Sequence, residues 1–191
     1  MSGAPMQRGW FDIPGVQEGD RTLAEQMTGL DGLAELVRGR TVLDLGCAEG
    51  LIALECARMG AARVDAIDYK IEFIDRARKL KLPEGATLNW FYHNLEHGLP
   101  DGTLPQYDVV LALAIIHKMP QPAALTRLIA DTARQILIVR LPLNSKGVVR
   151  SKHNGVATCD IPADLQGAGW QLADVRFGPM NERVHFYRHM A

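Results

Sequence analysis

The amino-acid sequence predicts an α/β domain built on a doubly wound, seven-stranded, mostly parallel sheet. Three observations carry this. Short apolar runs alternate with helical periodicity from Thr41 onward, and a glycine-containing turn, Gly46–Gly50, directly follows the first run. Near the C-terminus, two runs lie too close together for a crossover helix, so they should pair antiparallel at the C-terminal edge.

Taken in order, residues 1–20 are rich in Gly, Pro and polar residues, with Trp10, Phe11 and Ile13 as isolated apolar anchors. They read as an extended arm draped over the domain. Thr22 and Glu25 form a capping-box pattern, and a second short helix is expected over 31–37, with Gly39 near its end. Residues 1–38 are thus assigned to an arm with short helices, and 39–191 to the main domain. Thr41–Leu45 is the first strand and 50–59 its helix. Residues 63–67 form the second strand, followed by a helix over 71–81 with Ile71, Ile74 and Ala77 on one face. Residues 87–92 are rich in aromatic and β-branched residues, while 108–116 are almost wholly apolar, as a strand buried on both faces requires. Pro122 opens a helix carrying Leu125, Leu128, Ile129 and Thr132 at helical spacing, and 136–141 is another apolar strand. A short helix at 162–168 precedes the last two strands, 170–177 and 183–189.

With 191 residues the chain suits one domain. Lys and Arg (21) nearly balance Asp and Glu (22), which argues against a general polyanion binder. Three cysteines at 47, 56 and 159 form no C-x-x-C pair, so neither a disulfide framework nor a metal site is expected, and a reducing cytoplasm is the default. The N-terminus lacks the apolar run of a signal peptide, and no stretch reaches the ~18 apolar residues of a membrane span.

In open α/β sheets a ligand sits beyond the carboxyl ends of the strands. Gly46 and Gly50 allow bare backbone to approach it there. A dinucleotide fingerprint fails, because Ala48 occupies its second glycine position. Asp44 and Glu49 flank the turn and would repel a pyrophosphate, but suit a ligand bearing ammonium and sulfonium charges. Asp68, at the end of the second strand, can accept both hydroxyls of a ribose or cap the helix that follows.

Residues 42–50, Asp68 and the segment 107–117 together resemble class I S-adenosylmethionine-dependent methyltransferases over roughly residues 38–190. Within that superfamily, 39–47, 60–64, 67–68 and 115–122, with the Trp-Phe segment of the arm, are similar to a branch containing tRNA wobble-uridine-modifying enzymes. The resemblance implies S-adenosylmethionine as donor and S-adenosylhomocysteine as product. It places Asp44 and Gly46 at the methionine end and wraps Cys47, Ala48, Glu49 and Gly50 around the donor. Asp68 holds the ribose, Tyr69 lies against the adenine, and Asn94 stands where an Asp often binds the adenine amino group. Leu95 and Leu113 complete the set.

Methyl transfer needs alignment and water exclusion more than covalent help. His117, just past the fourth strand, is the candidate base for a hydroxyl acceptor, with packing as the alternative. No Asn/Asp-Pro-Pro-aromatic motif ends that strand and no Pro-Cys follows it, which argues against DNA-amino and pyrimidine C5 methylation. Residues 140–159 carry Arg140, Lys146, Arg150 and Lys152, plus His153, and no acid. Arg150, Lys152 and His153 are the candidate contacts to an anionic acceptor, unless the loop is merely a solvated surface. The leading expectation is a small-molecule oxygen or nitrogen acceptor handled by a monomer or homodimer. RNA is the alternative acceptor, and a catalytically inactive binding subunit is the alternative from another class.

Overall fold

A computed structural model describes residues 9–13, 17–142, 148–150, 158–179 and 182–190. The arm contains two three-residue strands, β1 (Gly9–Phe11) and β2 (Gly19–Arg21), paired parallel. These are too short for any periodicity to announce them. Helix α1 (Leu23–Met27) starts on the expected capping box: Thr22 Oγ1 accepts from Glu25 N, and the Glu25 carboxylate accepts from Thr22 N. Helix α2 (Leu33–Val37) buries Leu33 and Val37.

Next come β3 (Thr41–Leu45), α3 (Leu51–Arg58), β4 (Arg63–Asp68), α4 (Ile71–Ala77) and β5 (Leu88–Tyr92). A 3-10 turn at Leu95–His97 leads to β6 (Tyr107–Leu113), a second 3-10 turn at Ile116–Lys118, α5 (Pro122–Thr132) and β7 (Ala133–Pro142). Within the expected loop, β8 (Val148–Arg150) pairs antiparallel with β9 (Thr158–Asp160). Helix α6 (Ile161–Gly167), β10 (Trp170–Phe177) and β11 (Glu182–His189) complete the chain.

Among the described residues the main sheet has seven strands in the order β10-β11-β7-β6-β3-β4-β5. The expected architecture is present, with β11 as the single reversed strand, antiparallel to both β7 and the edge strand β10. Strand residues alternate between two cores, as a period of two demands. Val42, Val64, Val109, Leu111 and Ile138 face a core shared with α2, α3 and α4, whereas Leu43, Ile67, Val110, Leu137 and Val139 face α5 and α6. Both faces of β3 and β6 are buried, which explains their continuous apolar runs.

Two expected elements are shorter than the apolar pattern suggested. Helix α4 ends at Ala77, not at 81. Strand β6 ends at Leu113 because Ala114 turns into the left-handed region at φ 58°. That reversal directs Ile115 to Lys118 over the carboxyl ends of the strands.

Candidate functional site

The site lies where β3 and β4 end and their connections diverge. Gly46 N and Cys47 N both donate to Ile67 O (2.9 and 3.0 Å), tying the first turn to the end of β4. Gly46 has φ 73°, and a Cβ there would stand 2.5 Å from Ile115 Cδ1. Only glycine fits this left-handed position under the Ile115 side chain. Ala48 also adopts a left-handed conformation, φ 49°, which costs an alanine roughly 1–2 kcal/mol. Its N–H is aimed at Asp68 in return, donating to Oδ2 at 2.9 Å.

Asp68 is 6% exposed, and its other oxygen accepts from Lys70 N at 2.9 Å. Burial raises its carboxyl above the ordinary value, opposed by these two N–H groups and by the Lys70 charge. Each oxygen keeps a lone pair, so Asp68 can accept a diol in addition to bracing the turn. The residue that begins the cap of α4 is Lys70, so the expected capping role of Asp68 reduces to this one bond to Lys70 N.

Two adjoining clefts open here. One, about 220 Å³, is lined by Trp10, Gly46, Ala48, Asp68, Tyr69 and Leu113 among others. The second, about 280 Å³, carries Asn94, Glu96, Met119 and Pro120, and both share Tyr69, Ile115 and Lys118. Together they are on the scale of a small-molecule site, ~300–1,000 Å³. Tyr69 is 60% exposed between them. Asn94 Oδ1 accepts from Glu96 N (3.1 Å), so the 3-10 turn fixes its amide at the second cleft.

Of the expected donor-binding residues, the structure thus brings Gly46, Ala48, Asp68, Tyr69, Asn94 and Leu113 to the clefts. The others are placed differently. Asp44 is 2% exposed beneath the turn, and its Oδ2 is buried with no hydrogen-bond partner. Burial first, then the Asp68 charge, pushes its pKa up to about 7, with Arg140 pulling the other way. Cys47 is buried, its thiol pushed upward by burial and by the Asp44 charge, with Sγ against Ala48 O. Gly50 packs on the Trp90 ring and Leu95 in the core.

Glu49 corrects the expectation most sharply. It is fully buried and faces the arm, accepting from Trp10 N, Phe11 N and Gln17 Nε2 and pairing with Arg76 at 3.2 Å. A carboxylate engaged this way leaves no oxygen turned to a cationic ligand. Trp10, which sequence reasoning took for a mere apolar anchor, lines the first cleft.

His117 is 7% exposed in the 3-10 turn beside the clefts. Arg140 also departs from expectation. It lies on β7, fully buried, donating to Gln26 Oε1 (2.8 Å) and Gln26 O, with Glu182 at 3.8 Å. It therefore docks α1 and contributes no charge to the loop. The side chain of Arg150 and all of Lys152 and His153 lie outside the described residues. Among the described residues, no group of three His, Cys, Asp or Glu is placed to hold a metal ion.

The sequence matches the methyltransferase domain family over residues 42–135, the stretch that holds the first turn, Asp68 and the turn after β6. The ubiquinone biosynthesis O-methyltransferase of Xylella fastidiosa (strain 9a5c) is 28% identical over 95% of this chain and 82% of its own length. The chain is thus similar to methyltransferases, and the family match spans just under half of its length, in the stretch that builds the clefts. The ubiquinone biosynthesis O-methyltransferase of Neisseria meningitidis serogroup C is 34% identical over 55% of this chain, a match spanning only 44% of that relative. The magnesium protoporphyrin IX methyltransferase of Synechocystis PCC 6803, crystallised with bound S-adenosylmethionine, shares the fold at a TM-score of 0.64 and 19% identity. The match covers 83% of this chain and 74% of that one.

The position of Asp44 has a measurable consequence. Its folded-state value of about 7 exceeds the ordinary 3.8, so the folded state keeps the proton longer. Its contribution to stability is complete below about pH 4 and is lost as pH rises to about 7. Asp44→Asn should therefore gain stability over the wild type progressively from pH 4 to 7 and then hold that gain. Urea unfolding across this range measures the difference, and a difference constant with pH would contradict the assignment.

Proposed function

We propose that the chain transfers a methyl group from S-adenosylmethionine to an oxygen or nitrogen of a small-molecule acceptor. The observation that carries this is Asp68, held by Ala48 N and Lys70 N at the rim of a cleft floored by bare Gly46 backbone. Those residues fit the donor. A carboxylate suits the ribose, Tyr69 and Ile115 offer apolar surface to the adenine, and Asn94 stands in the adjoining cleft to meet its edge. The buried Asp44 oxygen without a partner leaves an open hydrogen-bonding position beneath the methionine end. When bound, the donor supplies an electrophilic methyl carbon, and the chain's task is to align the acceptor and keep water out.

The names of the relatives support a small-molecule acceptor. RNA is the second reading, favoured by Lys146, Arg150, Lys152 and His153 and by the resemblance of the arm and of 115–122 to the wobble-uridine branch. Methyl-labelled donor incubated with a metabolite extract or with total RNA separates them. Label should enter a solvent-extractable product. Label in acid-precipitable RNA, falling steeply with added salt, would favour the second reading instead. The three free, buried cysteines accord with work in a reducing cytoplasm, and no helix among the described residues is long and apolar enough to cross a membrane.

His117 serves in this reading as the base that takes a hydroxyl proton. His117→Ala should lower turnover by about 100-fold while S-adenosylhomocysteine affinity stays within twofold. Unchanged turnover would make it a packing residue.

A further inference from the structure

The first cleft is incomplete without the N-terminal arm. Trp10 forms part of its wall, and the arm holding Trp10 is fastened by an unusual set of buried groups. Both oxygens of Glu49 are occupied by it: Oε1 accepts from Trp10 N (2.9 Å) and Gln17 Nε2 (3.1 Å), and Oε2 from Phe11 N (3.1 Å). Gln17 closes the loop by donating to Phe11 O at 2.7 Å. Gly9 allows the close approach, since a Cβ there would stand 1.9 Å from Gln17 Nε2 and 2.5 Å from Glu49 Oε1. On the opposite wall, Lys118 Nζ sits 4.6 Å from the Trp10 ring centroid, while Arg21 of the arm itself lies 5.4 Å from it. The arm therefore bridges the turn after β3 and the turn after β6, the two walls between which a donor must lie.

We infer that Glu49 is a positioning residue that seats Trp10 as a wall of the donor cleft, so that arm seating and donor binding are one coupled equilibrium. This rests on the donor reading given above. If the arm leaves, Glu49 keeps its ion pair with Arg76 at 3.2 Å but loses three hydrogen bonds at once, two from the backbone of adjacent arm residues and one from Gln17. Because these bonds share one carboxylate and one glutamine, they form and break together. By reciprocity, whatever the seated arm adds to donor affinity, bound donor adds to arm seating.

The test uses the full chain and S-adenosylhomocysteine, measured by calorimetric titration and by tryptic cleavage after Arg21, located by N-terminal sequencing of the fragment that begins at Thr22. Saturating ligand should slow that cleavage at least tenfold. Glu49→Gln places an amide donor against an N–H donor, and Gly9→Ala forces the seat apart with no change in charge. Each should weaken binding about tenfold or more and abolish the protection from trypsin. Trp10→Ala, at a half-buried position, should weaken binding similarly, with Trp10→Phe restoring most of it. Variants that melt lower yet bind with unchanged affinity would mark a purely structural arm and overturn the inference, as would ligand that leaves wild-type cleavage unchanged or speeds it. Failure of the wild type to bind at all would instead overturn the donor reading.

Discussion

Asp68→Ala is expected to weaken S-adenosylhomocysteine binding by about 100-fold or more. Two effects combine. The ribose loses its carboxylate acceptor, and hydrogen bonds to a charged group are worth about 1.5–3 kcal/mol each. The turn also loses its brace, since Ala48 N and Lys70 N both donate to this side chain. Ala48 is held at φ 49°, a conformation an alanine leaves readily once its partner is gone. Asp68→Asn separates the contributions. It retains one acceptor oxygen and should fall between the wild type and the alanine variant. Calorimetric titration measures both, and an Asp68→Ala protein binding within threefold of wild type would remove Asp68 from the site.

Arg140→Ala should produce the largest loss of stability, about 3–5 kcal/mol, or on the order of 10 °C in melting temperature. Arg140 is fully buried on β7, and its removal strands Gln26 Oε1 and Gln26 O, and deprives Glu182 of its nearby cation. Burial pulls the guanidinium below its ordinary value while Glu182 and Asp44 raise it. Removing it also takes away the cation that favours the charged form of Asp44, whose carboxyl then holds its proton to higher pH. Arg140→Met, which fills the space without hydrogen bonds, should recover part of the loss. Chemical denaturation checks this, and a change under 1 kcal/mol for the alanine variant would mean that α1 does not depend on this anchor.

The fold and most of the donor cleft were legible because their signals are local. The strand–turn–helix at 41–58 and Asp68 at the end of β4 follow from hydrophobic period and residue type at fixed spacing. Glu49 misled because its side-chain direction is set by the left-handed backbone of Ala48, which no spacing reveals. Arg140 was counted among loop charges because residues 136–139 are uniformly apolar, hiding the alternation that places Arg140 on the inward face of β7 with Ile138. Strand β6 ended before its apolar run did because a strand buried on both faces carries no polar marker at its end. The place of Trp10 in the cleft wall was not legible for a further reason. Its role depends on a contact across 39 residues of sequence, and three-residue strands leave no periodic trace.

The central claim is that the clefts at the ends of β3 and β4 bind S-adenosylmethionine and its product. Thermal melting of the wild-type chain with S-adenosylhomocysteine, with NAD, or with neither, tests it most directly. A ligand at about 100 times its Kd stabilises the folded state by roughly 2.7 kcal/mol. The melting temperature should therefore rise by several degrees with S-adenosylhomocysteine and stay unchanged with NAD. No rise with S-adenosylhomocysteine, or an equal rise with NAD, would contradict the account.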